Sequence, residues 1–161
     1  MSNYITTRDG AQATSAQCGH GHGESVFGRR PVLTGIAVGI GSLLPHAFLP
    51  AQASIGFAAV LIALIAGIYF GFAVMNGSPR DQFVEFNVAG LFAVAALLGL
   101  LFSPLVLALA YFGHACWDLA HHNKAGFSLV AIPRWYVPWC VVIDVIVGSG
   151  LLVIWRLDGL I

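Results

Sequence analysis

Residues 83–122 have the sequence FVEFNVAGLFAVAALLGLLFSPLVLALAYFGHACWDLAHH. One helix over this stretch would be about 60 Å long, which is twice the thickness of the hydrocarbon core of a bilayer. Pro104 stands near the middle, lacks a backbone N–H and disfavours helical structure in the preceding residue, Ser103. The stretch therefore predicts two membrane-spanning helices that are joined by a tight hairpin at Ser103-Pro104.

The rest of the chain has the same apolar character. Of its 161 residues, 58% are hydrophobic and 9% are charged, whereas a soluble domain averages about 25% charged residues. We predict an all-α, polytopic transmembrane bundle of five spans. An alternative has four spans, with one of the two hairpin segments inserted only halfway. The predicted spans cover residues 31–49, 54–75, 83–102, 104–120 and 135–155.

The basic residues predict the orientation of the bundle, because Lys and Arg collect in cytoplasmic loops. With a cytoplasmic N-terminus, only Arg156 lies outside. All the other basic residues are then cytoplasmic: Arg8, Arg29, Arg30, Arg80, Lys124 and Arg134. We expect a polar cytoplasmic tail over residues 1–28 and one transmembrane domain over residues 29–161. The protein is then a multi-pass protein of the cell inner membrane that contacts lipids. Its seven basic and seven acidic residues balance, which gives no reason to expect a nucleic-acid partner.

A cleaved export signal is an alternative for the N-terminal region. Arg29-Arg30, a glycine-rich apolar run and Ala51-Gln52-Ala53 together resemble a twin-arginine signal with its cleavage site. The next segment is itself a predicted span, and this favours an uncleaved first helix.

Ionisable residues inside spans are costly and rare, so each one is a candidate functional residue. Residues 114–122 hold four: His114, Asp118, His121 and His122. At 100° per residue, Asp118 lies about 40°, His121 about −20° and His122 about 80° from His114 around the helix. Imidazole and carboxylate groups on one helix face predict a divalent metal site, with iron or zinc as the metal.

Helical rise brings two more acidic residues to the same depth. His114 lies about 12 Å inward from the cytoplasmic end of its span, and Asp144 about 14 Å inward from that of the last span. Glu85 enters the third span from the same side. We expect Glu85 and Asp144 to complete the pocket as further ligands or catalytic proton carriers. The structural alternative is a hydrogen-bonded network that only fixes helix packing, and for His122 a solvated helix end is the preferred interpretation.

Other features predict structure rather than chemistry. Gly35/Gly39 and Gly67/Gly71 are small-xxx-small pairs that allow close helix approach. Trp117 is expected to form packing or a pocket wall, and His46 a local cap near the outer surface. Within the tail, Cys18, His20 and His22 can bind stray metal ions, although a flexible segment is the preferred interpretation.

The motif His114-x-x-Trp117-Asp118-x-x-His121-His122 resembles a group of small uncharacterised bacterial integral membrane proteins, and this resemblance implies no activity. The His121-His122 pair is similar to the histidine boxes of membrane-embedded oxygenases of the desaturase and hydroxylase type. Those families have several boxes and this chain has one, which puts a full di-iron site in doubt. Ala110-x-x-x-His114 also resembles the bacteriochlorophyll-binding pattern of light-harvesting helices.

Three functions follow from these observations. The leading hypothesis is a metal-dependent membrane oxidoreductase that acts on a lipid-phase substrate. The alternative is a non-catalytic small subunit of a membrane complex that binds partner subunits, a pigment or haem. The third hypothesis is proton or metal-ion transport through Glu85 and Asp144.

Overall fold

A computed structural model of the chain describes residues 26–123 and 129–161, and within these ranges all regular structure is helical. The expectations for Arg8, Cys18, His20, His22 and Lys124 fall outside the described residues. A 3₁₀ turn at Leu44–Ala47 extends the second helix. The helices are α1 (Val26–Arg29), α2 (Pro31–Leu43), α3 (Ala51–Asn76), α4 (Pro79–Leu101), α5 (Leu105–Asn123) and α6 (Tyr136–Leu157). The predicted all-α helical bundle is confirmed.

The predicted break at Ser103-Pro104 separates α4 from α5. Helix α4 ends at Leu101 and α5 begins at Leu105, and the two helices pack against each other. Gly99 permits this approach, because a Cβ atom there would stand 2.3 Å from Cγ of Leu107. Proline and glycine together produce the tight hairpin.

The start of α4 is defined by a capping box. The Ser78 side chain accepts from the Asp81 backbone N–H at 3.3 Å, and the Asp81 carboxylate accepts from the Ser78 backbone N–H at 2.8 Å. Pro79 occupies the first turn, where its missing N–H costs nothing. This arrangement fixes the end of α4 that carries Glu85, which lies one turn after Asp81.

Among the described residues, three helices are long and apolar enough to cross a membrane: α3, α4 and α6. The segment Pro31–Ala47 is apolar but shorter. Helix α5 has 19 residues and includes His114, Asp118, His121 and His122, which lower its hydropathy. The protein is therefore a helical membrane protein, and the number of spans, five or four, stays a prediction.

The helices pack in the spatial order α2, α6, α5, α4, α3, and α3 also contacts α5. The Gly35/Gly39 pair lies at the α2–α6 contact, because a Cβ at Gly35 would stand 2.9 Å from the Trp139 carbonyl oxygen. The packing interpretation of Gly67/Gly71 is wrong, since nothing lies within 4 Å of a Cβ built at either position. That face of α3 has no neighbouring helix among the described residues.

Polar side chains form two layers across the bundle. The helical rise of α3 between these two layers is about 22 Å. At one end, Ser54 Oγ accepts from Trp155 Nε1 at 2.9 Å and lies 2.7 Å from His46 Nδ1. His46 thus joins the 3₁₀ turn to α3 and α6 through a buried hydrogen-bonded contact. The second layer contains the predicted site.

Candidate metal centre

Helices α5 and α6 bring one imidazole and two carboxylates together. His114 Nδ1 lies 2.8 Å from Asp144 Oδ2 and 3.6 Å from Asp118 Oδ1. One ligand atom from each of the three residues lies within 4.8 Å of the other two. His114 and Asp118 are 0% exposed and Asp144 is 1% exposed, so water is excluded from a cluster of groups that normally need it.

A close helix crossing brings Asp144 to this position. Gly148, one turn beyond Asp144, packs on α5, and a Cβ there would stand 3.2 Å from the Ala108 carbonyl oxygen and from the Phe112 ring. A larger side chain would push α6 away from α5 and separate Asp144 from His114. The glycine therefore determines the geometry of the cluster although it carries no functional group.

Aromatic rings form the walls of the cluster. The Tyr69 hydroxyl donates a hydrogen bond to Asp118 Oδ1, and the Tyr69 ring centroid is 5.6 Å from that of His114. The Phe92 ring is 5.1 Å from His114 on an edge-to-face contact. Helices α3 and α4 thus close the cluster with apolar surface and supply one hydroxyl.

Three atoms of the cluster are buried without a hydrogen-bond partner among the described residues: Asp118 Oδ2, Asp144 Oδ1 and His114 Nε2. Buried polar groups in proteins are nearly always paired, because an unpaired one costs about 1–3 kcal/mol. Two lone carboxylate oxygens beside an imidazole are the usual surroundings of a bound cation. The donor set therefore suits a metal ion.

The distances agree with this interpretation. Zinc binds nitrogen and oxygen at about 2.0–2.2 Å, and tetrahedral geometry then separates two ligand atoms by about 3.3–3.6 Å. His114 Nδ1 lies 2.8 Å and 3.6 Å from the nearest oxygens of Asp144 and Asp118. A cation bound between these atoms would replace the proton that the His114–Asp144 hydrogen bond requires, and the 2.8 Å distance would widen by about 0.5–0.8 Å.

Glu85 and His121 form a separate pair beside this cluster. His121 Nε2 lies 2.8 Å from Glu85 Oε1, and Trp117 Nε1 donates to Glu85 Oε2 at 3.2 Å. His121 Nδ1 lies 3.0 Å from the Trp117 carbonyl oxygen, and a carbonyl only accepts, so Nδ1 donates. His121 Nε2 and Glu85 consequently share one further proton, whichever of the two holds it.

The structure thus divides the predicted site residues into three groups. His114, Asp118 and Asp144 meet at one point, and Glu85 and His121 pair next to them. His122 is exposed and points away from both, in agreement with its interpretation as a helix end.

Sequence reasoning did not identify Tyr69, and it expected Trp117 to form packing or a pocket wall. Tyr69 belongs to a buried face of α3 that carries Ser54 at its opposite end and otherwise alanines and isoleucines, including Ala58, Ile62, Ala66 and Ala73. A buried hydroxyl near the end of α3 that meets α4 was the available signal. Trp117 does line the cluster, with its ring 5.0 Å from that of His121, and its N–H holds the Glu85 carboxylate.

Fold and site together define a helical membrane protein with a buried His–Asp cluster near one end of its bundle. A family model described as a family of unknown function, DUF6010, matches residues 30–156. The chain therefore belongs to the DUF6010 family, and the match includes every helix that builds the cluster. Searches of curated proteins and of solved structures gave no match.

Proposed function

We propose that this protein is a metal-dependent oxidoreductase of the cell inner membrane that acts on a lipid-phase substrate. In this proposal the chain crosses the membrane five times, with a cytoplasmic N-terminus and the cluster near the cytoplasmic side. The metal ligands are His114, Asp118 and Asp144. The observation that carries the proposal is the convergence of these three buried groups, two of which have an unpaired carboxylate oxygen.

Charge balance favours a metal over a purely hydrogen-bonded network. Two carboxylates this close repel each other strongly in a buried site, and burial of each unpaired charge costs several kcal/mol. A divalent cation neutralises both carboxylates at once, whereas protons do so only if His114 and one of the two carboxyl groups each hold one. One nitrogen and two oxygen ligands suit iron, zinc or manganese, while magnesium and calcium prefer oxygen alone.

Three protein ligands leave coordination positions open for a substrate, as in non-haem iron and catalytic zinc sites. We favour redox chemistry over hydrolysis because the groups described around the cluster are aromatic rings and tyrosine hydroxyls, with no serine hydroxyl among them. Glu85 and His121 share a proton in the adjacent pair, and this pair is the proton carrier of the proposal.

Metal analysis of the purified protein tests the proposal. We expect about one divalent ion per chain in detergent, and the visible spectrum separates iron from zinc. The double substitution of His114 and Asp118 by alanine should remove this ion. Unchanged metal content in the double variant would refute the site.

Two controls make the result specific. The His20→Ala/His22→Ala protein serves as the background, because these tail histidines can bind metal independently. In that background, His122→Ala should retain the ion, since His122 lies on the same helix but is exposed. Loss of metal in the His122 variant would indicate surface binding.

A non-catalytic subunit is the second candidate function. Every side-chain polar atom of Glu85 and both ring nitrogens of His121 are paired within the chain, which is typical of a network that only holds helices together. Purified protein that folds stably without any metal, and that copurifies with partner subunits in fixed stoichiometry, would favour this function.

A further inference from the structure

A cavity of about 180 Å³ lies between the α2–α6 pair and α3. Helix α2 packs mainly on α6, and α3 packs on α4 and α5, so the cavity occupies the gap between these two groups of helices. Its wall is mostly apolar, with Ser42 of α2 and Tyr111 of α5 as polar residues, and along α6 Tyr136, Cys140 and Asp144 follow one another at intervals of four residues. This spacing places the three side chains on one helix face.

The cavity connects the candidate metal centre with the outer surface of the bundle. Asp144, which lies 2.8 Å from His114, lines its inner wall. Val38 of α2 and Ile68 of α3 line it as well, and they are 37% and 42% exposed. In a membrane this surface faces lipid, so the cavity opens sideways towards the acyl chains of the bilayer.

Two buried polar atoms at this cavity make no well-aligned hydrogen bond among the described residues. These are Asp144 Oδ1 and Tyr136 Oη, which lie beside the Asp118 carboxyl group and the Cys140 thiol, respectively, in residues that are only 1% and 7% exposed. The carboxylate oxygen needs a donor, and the phenol can either donate or accept. A hydroxyl group on a ligand can satisfy either atom, because it both donates and accepts.

The volume limits what the cavity can hold. An apolar cavity of about 150 Å³ binds benzene, and pockets for drug-sized ligands measure about 300–1,000 Å³. A cavity of about 180 Å³ therefore holds the end of one hydrocarbon chain and excludes a haem or a pigment macrocycle. The remainder of a longer chain can extend through the opening into the bilayer.

We propose that this cavity binds the hydroxyl-bearing end of a single long-chain alcohol, which enters from the bilayer between α2 and α3. The hydroxyl group contacts Asp144 or Tyr136 after a small movement of the buried side chain, and the chain lies against the apolar side chains of α3. This inference deepens the proposed function and rests on it, since it defines the class of lipid-phase substrate that reaches the metal centre.

Photolabelling of the full chain in detergent micelles tests the inference. The probe is dodecan-1-ol with a diazirine on its chain near the hydroxyl, and the comparison probe is the same alkane without the hydroxyl. We expect saturable adducts, located by mass spectrometry, on the cavity residues of α3 and α6, and competition by unlabelled dodecan-1-ol. Adducts spread evenly over lipid-facing side chains, without saturation, would overturn the inference.

Matched variants separate cavity binding from contact with surrounding detergent. Ile65 lines the cavity, whereas Leu64, its neighbour on α3, does not and is 62% exposed. Ile65→Phe should reduce alcohol labelling several-fold, and Leu64→Phe should leave it unchanged. Equal effects of both substitutions would contradict the inference.

Tyr136→Phe tests the polar contact without altering a proposed metal ligand. Loss of one hydrogen bond should lower the preference for the alcohol over the alkane by about three- to tenfold. An unchanged preference would show that the hydroxyl does not contact Tyr136, and would overturn that part of the inference.

Metal content, measured on the same samples, distinguishes the two proposals. Saturable labelling of protein that binds no metal would support the cavity inference and refute the proposed function. One bound metal with unsaturable labelling would overturn the cavity inference and leave the proposed function intact.

Discussion

Substitution of Glu85 separates the effect of a lost hydrogen-bonding group from that of a lost charge. In Glu85→Ala, the Trp117 N–H and His121 Nε2 lose their partners at 3.2 Å and 2.8 Å in a site where Glu85 is 0% exposed. Each unpaired buried group costs about 1–3 kcal/mol, and breaking a buried pair costs about 3–5 kcal/mol. We expect the free energy of unfolding to fall by about 3–5 kcal/mol.

Glu85→Gln should be far milder, because an amide can make the same contacts. Its oxygen accepts from Trp117, and its NH₂ group donates to His121 Nε2, which is free to accept because Nδ1 already donates to the Trp117 carbonyl oxygen. Trp117 Nε1 and both ring nitrogens of His121 remain paired. We therefore expect the free energy of unfolding to fall by less than about 1.5 kcal/mol, the value of a typical single hydrogen bond.

The assay is reversible unfolding by SDS in mixed micelles, followed by far-UV circular dichroism. His122→Ala is the surface control on the same helix as His121 and should change the free energy of unfolding by less than about 0.5 kcal/mol. A glutamine variant as unstable as the alanine variant would refute the argument. It would show that the pair requires the negative charge of Glu85.

Three further predictions concern packing and the metal centre. Gly39→Val places a side chain against Ile146, whose Cβ would lie 3.1 Å from the new Cβ, and should cost about 1–3 kcal/mol of unfolding free energy in the same SDS assay. Gly67→Ala meets nothing within 4 Å and should be neutral or stabilising by up to about 1 kcal/mol, whereas a large loss would indicate an unseen helix contact. Tyr69→Phe removes the hydrogen bond to Asp118 and should weaken metal binding about 10- to 100-fold, measured by competition with a chelator. Unchanged affinity would mean that Asp118 is not a ligand.

Much of the fold follows from elementary properties of the chain. Pro104 cannot continue a helix of twice the bilayer thickness, and the structure has its hairpin there. The depth of Asp144 also followed from helical rise alone, because the loop before α6 fixes the end from which residues are counted. The position of the hairpin and the depth of Asp144 each depend on a single segment, and hydropathy and helix length are properties of single segments that the sequence gives directly.

Properties that depend on pairs of helices could not be predicted in the same way. Gly35/Gly39 and Gly67/Gly71 have identical spacing, yet in the part of the chain that the structure describes only the first pair packs against another helix, because the packing order is determined by the whole bundle. His121 lies about 20° from His114 around α5, which predicted a shared ligand role. It faces Glu85 of α4 instead, while Asp144 of α6 approaches His114.

The contact between α2 and α6 has a consequence for how the chain assembles during synthesis. Among the described helices, α2 precedes α3, α4 and α5 in the chain, whereas its main packing partner, α6, follows them. The α3–α4 and α4–α5 contacts join neighbours in sequence and can form as soon as each hairpin is inserted. Helix α2 can dock on α6 only after the three intervening helices have been synthesised, so this contact forms in a late, long-range step.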